Sequence, residues 1–247
     1  MINIILSGCN GKMGKMIRDC AADRSDCKIV AGIDLFESPD TPFPVFTSPA
    51  LCSVVADVII DFTRPDNLDA LLELSLQKKI PIVLCTTGFS PEQIEKIHSA
   101  AKNIPVFFSA NMSLGVNLLI ELAKLATKAL GGQFDIEIVE KHHNQKVDAP
   151  SGTALMIADA ISEGKMSYVF DRHSVSKKRG ENEIGFSSVR GGTIVGEHDV
   201  IFAGRDEVIT LSHSAYSRSV FATGALNAAV FLAAAAPGLY SMKDLIK

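Results

Sequence analysis

The chain alternates short, almost wholly apolar runs with segments whose apolar residues recur every three or four positions. Residues 2–7 form a continuous apolar run, the pattern of a strand buried on both faces. A glycine turn over 8–14 follows, and 15–22 reads as helix. Further strands are predicted over 28–33, ending at Asp34, and over 57–62, 80–84 and 104–108. Residues 67–78 read as a helix with Leu68, Leu71, Leu72 and Leu76 on one stripe, and Ser90-Pro91-Glu92-Gln93 has the composition of a helix start. Strand, turn and helix repeating in this order imply a parallel sheet covered by helices on both sides.

After Asn111 the rhythm changes. A long helix over 114–130 leads to a strand in which Phe134, Ile136 and Ile138 share one face, and a helix over 153–162 follows a polar stretch. Three β-type runs, near 184–190, 193–203 and 207–215, then alternate polar with apolar residues with no helix between them. An antiparallel sheet with one open face would give this pattern. Residues 165–182, rich in Lys, Arg, Ser and Gly, read as an exposed loop. The alanine-rich helix near the C-terminus is expected to pack back on the first domain.

Composition narrows the function. Apolar residues make up 47% and charged residues 21%, an ordinary globular balance. With 24 Lys+Arg against 28 Asp+Glu, the formal charge is −4, without the basic excess of a protein that lives on nucleic acid. A small anionic ligand stays possible, because a site needs only local positive charge. The most apolar stretch, 221–236, is interrupted by Thr223, Gly224 and Asn227 and stops at Pro237, so a core helix fits it better than a membrane span. The N-terminus lacks a basic region before its apolar run, and no signal peptide is read. Five scattered cysteines (Cys9, Cys20, Cys27, Cys52, Cys85) without a CxxC pair read as reduced thiols of a cytoplasmic protein.

Two constellations carry chemistry. Gly8-Cys9-Asn10-Gly11-Lys12-Met13-Gly14 lies between the first strand and the first helix. Glycines there let backbone N–H groups approach phosphate oxygens, and the helix N-terminus adds a favourable dipole. The spacing is GxxGxxG rather than GxGxxG, and such a loop alone can be a mere tight turn. Asp34, at the end of the second strand, stands where an acid would bind the adenosine ribose hydroxyls, and the two features together point to a dinucleotide. Cys85-Thr86-Thr87-Gly88 and Ser109-Ala110-Asn111-Met112 fall on the same carboxyl edge of the predicted sheet, where open α/β folds bind ligands.

The second constellation runs from Glu140 through His142, His143 and Lys146 to Ser151-Gly152-Thr153. Adjacent histidines on extended backbone point to opposite sides and so differ in role. They cannot easily share one metal ion, no HExxH or cysteine cluster accompanies them, and no metal is expected. Ser151 lacks the GxSxG setting of a hydrolase nucleophile. At a helix start after Pro150, Ser151-Gly152-Thr153 reads either as a simple N-cap or as an anion site. With two imidazoles and an ammonium nearby, the segment suits a carboxylate-bearing substrate that also needs a proton.

These residues resemble the dihydrodipicolinate reductase (4-hydroxy-tetrahydrodipicolinate reductase) family. The likeness rests on 8–14, Asp61-Phe62-Thr63, Thr86-Thr87-Gly88-Phe89, 111–117, the HHxxKxDxPSGTA run over 142–154, and 189–198. The resemblance implies an α/β chain with a Rossmann-type dinucleotide-binding domain over 1–112, completed by 219–247. It also implies a smaller α+β substrate and tetramerisation domain over 113–218 with a mixed, largely antiparallel sheet. The implied activity is reduction of 4-hydroxy-tetrahydrodipicolinate by NADH or NADPH in lysine biosynthesis, by a homotetramer with neither nucleic-acid nor membrane partners.

Carried over by residue, the resemblance implies that His142 is the acid/base residue and Lys146 the proton donor. It implies that His143, Ser151, Gly152 and Thr153 bind substrate carboxylates. By the same resemblance, Gly8, Cys9, Asn10, Gly11, Lys12, Met13, Asp34, Cys85, Thr86, Thr87, Ser109, Ala110, Asn111 and Met112 are expected to bind the cofactor. Asp34, followed by Leu35 and not by an arginine, implies a preference for NADH. Two other readings stay open on the pattern alone. One is another nicotinamide oxidoreductase with an added α+β domain, such as an amino-acid or semialdehyde dehydrogenase; the latter would need a nucleophilic cysteine in the second domain, and the chain has none after Cys85. A non-catalytic NAD sensor would not need His142 with Lys146.

Overall fold

Ile4, Ile5 and Leu6 are all fully buried although they point alternately to opposite sides of their strand, which is why the run carries no polar alternation. In the computed structural model of the chain, which describes all residues but Glu37, Pro39, Asp40, Val175 and Lys247, that strand is β1 (Ile2–Ser7). There follow α1 (Lys12–Ala22), β2 (Cys27–Ile33), β3 (Val45–Phe46), β4 (Val58–Asp61), α2 (Leu68–Lys78), β5 (Ile82–Leu84), α3 (Pro91–Ala100) and β6 (Pro105–Phe108). The chain continues through α4 (Leu114–Leu130), β7 (Asp135–His142), α5 (Gly152–Ser162), β8 (Ser167–Val169), β9 (Glu183–Arg190), β10 (Gly196–Ala203) and β11 (Val208–Ala215). It ends with α6 (Ser219–Leu232) and β12 (Gly238–Tyr240). Two compact units result: Met1–Leu114 with Arg218–Lys247, and Gly115–Ser217.

The first unit holds a seven-stranded sheet in the order β12-β6-β5-β4-β1-β2-β3, parallel at every pairing. Successive side chains feed two cores. Ile4, Leu6, Val58, Ile60, Val83 and Phe107 pack with Ile17 of α1 and Ala225 and Leu226 of α6. Ile5, Ile59, Ile82, Leu84 and Val106 pack with Leu71 of α2 and Ile97 of α3 on the other face. The terminal helix thus returns to the first unit, as its composition predicts. Its approach is close: a Cβ at Gly224 would lie 1.7 Å from the Met112 carbonyl oxygen. The order reverses at β1, whose neighbours are β2 and β4, and a switch point of this kind opens a ligand crevice beyond the strand ends.

The predicted start of α3 is present as a capping box, with Ser90 and Gln93 bonding each other's backbone and Pro91 at the first helical position. Other expectations need correction. Helix α1 begins at Lys12 rather than at residue 15, so the last residues of the glycine segment are already helical. Leu76 is exposed and leaves the buried stripe of α2; Ser75 takes the inward place because its hydroxyl donates to the Ile80 carbonyl. Strands β3 and β12 are too short to leave a periodic pattern in the sequence.

The second unit holds a five-stranded sheet, β11-β10-β7-β9-β8. Pairings β11–β10 and β10–β7 are antiparallel, whereas β7–β9 and β9–β8 are parallel. The sheet is therefore mixed, with its pairings evenly divided: α5 and the segment after it carry the chain back before β9 begins. Residues 165–182 are not only loop. They include β8, and Arg172 and Arg179 tie the segment to Glu137 and Glu183 and to Asp135 and Glu137 respectively. One sheet face packs Ile136, Ile138, Val200 and Phe202 beneath Leu119 of α4 and Ile157 of α5. The opposite face carries ion pairs such as Lys141–Glu197 at 2.9 Å. Among the described residues, no helix is long and apolar enough to cross a membrane.

Candidate active site

The glycine segment lies at the carboxyl end of β1, where the order of the first sheet reverses. Two of its glycines, Gly8 and Gly14, are required by space. Gly8 has φ +81°, and a Cβ there would meet the Phe62 carbonyl oxygen at 2.9 Å; a Cβ at Gly14 would lie 2.1 Å from the Gly8 oxygen. Helix α1 opens on Gly11 with no capping side chain and no acidic residue in its first turn. Early N–H groups of a helix lack intrahelical acceptors, so this end suits an anion. Asp34 is held beside the loop: Oδ2 accepts from the Asn10 amide at 2.8 Å and Oδ1 from the Leu35 amide at 2.8 Å. Asn10 Nδ2 donates to the Phe36 carbonyl at 2.7 Å, fastening loop and strand end together. A close-packed glycine cradle, an uncapped helix start and an adjoining carboxylate fit a dinucleotide.

The remaining residues of this set divide by burial. Lys12 and Thr87 are exposed, as are Gly11 and Ala110. Cys9, Cys85 and Met112 have side chains in the core, and burial pushes the Cys9 thiol up to about 11 and Cys85 well above its usual range. The Thr86 hydroxyl is committed to the buried Asp61 at 2.7 Å. Ser109 Oγ donates to the Asn111 carbonyl, and Asn111 Oδ1 accepts from the Ser113 amide, shaping the turn after β6.

In the second unit, β7 ends at His142, buried, while His143 beyond it is half-buried, as opposite sides of an extended chain require. His142 Nδ1 meets Glu140 Oε2 at 2.5 Å. Arg190 on β9 grips the same carboxylate with both nitrogens, Nη1 to Oε2 at 2.8 Å and Nη2 to Oε1 at 2.7 Å. Burial alone would raise the Glu140 pKa, but hydrogen bonds from Arg190, Ser188 and His142 outweigh it and bring it to about 2. Burial lowers the His142 pKa, with Glu140 opposing. The Lys146 ammonium, 2.8 Å from Asp148, also works against a charge on His142.

Ser151 is an N-cap in fact: its Oγ accepts from the Ala154 amide at 3.1 Å. It is also wired outward, since Oγ lies 2.9 Å from His198 Nε2 and its amide donates to Glu140 Oε1 at 3.2 Å. His198, on β10, is buried beside His142 with ring centroids 5.1 Å apart, and burial drives its pKa down to about 4. Gly152 and Thr153 form the first turn of α5. The structure thus brings His142, Lys146, Ser151, Gly152 and Thr153 to one end of the second sheet. Glu140, Arg190 and His198 join them, although sequence reasoning assigned them no role. Their signal was faint: a buried charge on a strand shows only once its cross-strand partner is known. Among the described residues, no group of three or more His, Cys, Asp or Glu side chains could hold a metal ion.

Comparison with known proteins decides the family. Residues 2–112 match the dihydrodipicolinate reductase N-terminus model and 115–246 the dihydrodipicolinate reductase C-terminus model. The chain belongs to the dihydrodipicolinate reductase family. It is 54% identical over 250 residues to 4-hydroxy-tetrahydrodipicolinate reductase of Caldanaerobacter subterraneus subsp. tengcongensis, covering 100% of this chain and 99% of the relative. It is 52% identical to the Clostridium novyi protein of the same name, again over 100% of this chain and 99% of the relative. Among solved structures, a dipicolinate-bound dihydrodipicolinate reductase from Paenisporosarcina sp. TG-14 superposes with a TM-score of 0.83 at 29% identity, covering 100% of both chains. The family is one of oxidoreductases, and a match to its own models over nearly the whole chain sets aside the other readings left open by the sequence pattern.

Proposed function

We propose that this chain reduces 4-hydroxy-tetrahydrodipicolinate to tetrahydrodipicolinate in lysine biosynthesis, with His142 and Lys146 managing the proton. One observation carries the residue assignment. At the end of β7 a buried imidazole and an ammonium stand beside a helix start whose cap, Ser151, is wired to the same network. Ser151, Gly152, Thr153 and His143 bind the carboxylates of the small dicarboxylic substrate, using the backbone and hydroxyl donors of a helix N-terminus. Lys146, half-buried, is paired with the largely exposed Asp148, a partner whose hold water weakens, so a substrate carboxylate can compete with it. Its ammonium then serves as proton donor, while His142, its pKa lowered by burial, exchanges a proton with the substrate.

Gly8, Cys9, Asn10, Gly11, Lys12 and Met13 would hold the pyrophosphate of NADH or NADPH, largely through backbone. Cys85, Thr86, Thr87, Ser109, Ala110, Asn111 and Met112 would border the rest of the dinucleotide. When bound, it supplies a hydride to the substrate ring. Asp34 would accept from the ribose hydroxyls and repel a 2′-phosphate, with exposed Lys12 offsetting part of that repulsion, so both cofactors are used and NADH is preferred. The test is a coupled assay with aspartate semialdehyde, pyruvate and the preceding synthase, run with each cofactor. Consumption of NADH supports the reading. About tenfold better kcat/KM with NADPH, roughly 1.4 kcal/mol the other way, overturns the preference. A homotetramer and a cytoplasmic location belong to the same proposal, supported by the exposed edge strand β11 and by five free cysteines.

A further inference from the structure

Glu140 is a fully buried carboxylate that no step above uses. It connects the two halves of the proposed substrate site. Oε2 meets His142 Nδ1 and accepts from Arg190 Nη1; Oε1 accepts from Arg190 Nη2 and from the Ser151 amide that opens α5. An ionised carboxylate can only accept, and a neutral imidazole carries a single proton. A carboxylate kept ionised by the Arg190 guanidinium therefore bonds His142 Nδ1 only when that nitrogen carries the proton. Nε2 is then the lone-pair nitrogen. Among the described residues Nε2 has no hydrogen-bond partner, and a Cβ at residue 196 would approach it to 3.1 Å, so Gly196 leaves it room.

We infer that Glu140 is a positioning residue: it holds His142 in the Nδ1–H form and so makes Nε2 the nitrogen that exchanges a proton with the substrate. The inference rests on the proposal that His142 is the acid/base group. Charged and titratable neighbours face this imidazole from every side. They are Glu140 on its own strand, Arg190 on β9, His198 on β10 and Lys146 from the following loop. Of these, Glu140 alone favours the protonated ring, while the cations Lys146 and Arg190 oppose it. Removing its charge leaves the cations unopposed, and the pH at which His142 protonates moves down.

The experiment compares Glu140→Gln and Glu140→Asp with the wild-type holoenzyme. Imidazole ¹⁵N–¹H spectra report which nitrogen of His142 carries the proton, assigned by loss of the signal in His142→Ala. In Glu140→Gln the amide group can donate to Nδ1, so the ring should switch to Nε2–H. kcat should then fall about 100-fold, the lower range for a lost general acid, with the affinity for NADH unchanged. Glu140→Asp keeps an acceptor-only charge and should keep the Nδ1–H signal and the wild-type pH profile. Retention of Nδ1–H in Glu140→Gln with kcat within about twofold of wild type overturns the inference. If Glu140→Gln does not fold, the wild-type spectrum decides alone: a His142 signal of the Nε2–H form overturns the inference. A His142→Ala enzyme with normal kcat would sink the acid/base assignment itself, whatever the spectra show.

Discussion

The starts of α1 and α5 are both suited to anions, and they are built by opposite means. At α1 the chain uses backbone: the cap is a glycine with no side-chain bond, and Gly8 and Gly14 are there because a Cβ would strike a main-chain carbonyl. At α5 it uses side chains: Ser151 caps the helix and is held by Glu140 from β7 and His198 from β10, with Arg190 of β9 behind them. A backbone site is defined by where side chains cannot go, so it tolerates Cys9 and Asn10 between its glycines. A wired site is defined by partners brought from distant strands, and each partner is a point of failure. The first suits a phosphate chain common to many enzymes, the second a substrate on which protons must move.

The two helix starts differ most in catalysis. Lys146→Ala and His142→Ala should each lower kcat by roughly 10²–10⁴-fold, the span for a lost general acid or base, while NADH affinity measured by calorimetry stays near wild type. A double variant that keeps near-wild-type kcat while folded and NADH-competent would falsify the assignment. At the backbone site, Gly14→Ala forces a Cβ to 2.1 Å from the Gly8 oxygen. The expected cost is roughly 3 kcal/mol of stability, the upper end for overpacking, together with at least about tenfold weaker NADH binding, equivalent to roughly 1.4 kcal/mol. Urea denaturation and titration both matching wild type would show that the cradle is not tight.

The smallest effect sharpens the contrast through pH. Folded His198 takes up a proton only near pH 4, against 6.5 for an ordinary histidine. Below that ordinary value the unfolded chain binds the proton and the folded one does not. The contribution of His198 is therefore intact above about pH 6.5 and lost as pH falls toward 4. Between about pH 7.5 and pH 5 the loss is roughly 2 kcal/mol. His198→Gln should flatten this slope in urea melts; an equally steep slope in the variant would remove His198 as its source. The glycines and backbone amides at the start of α1 do not themselves titrate.

Much of the first unit was legible because its signals are local. Apolar runs, glycine spacing, Ser90-Pro91 and the length between strands each act within a few residues. Legibility failed where a local pattern had a nonlocal owner. Ser75 took the place of Leu76 because Ile80 offered its carbonyl, and β8 emerged from a polar stretch because β9 lay ready to pair with it. At the candidate site His142, Lys146 and Ser151 were readable as residue types suited to protons and carboxylates. Arg190 and His198 were not, since their meaning lies in which strand they face.

By itself the sequence determined the alternation of strands and helices, the glycine cradle and the presence of an imidazole–ammonium–helix-start segment. Periodicity and steric demand are properties of the chain read in order. Only the tertiary structure decided that β9 runs parallel to β7, and with that pairing Arg190 lies opposite His142 and reaches the Glu140 carboxylate. Hydrogen bonds and ion pairs act over about 3 Å in space, with no regard for separation along the chain, so the environment of a buried charge exists only once distant strands have met.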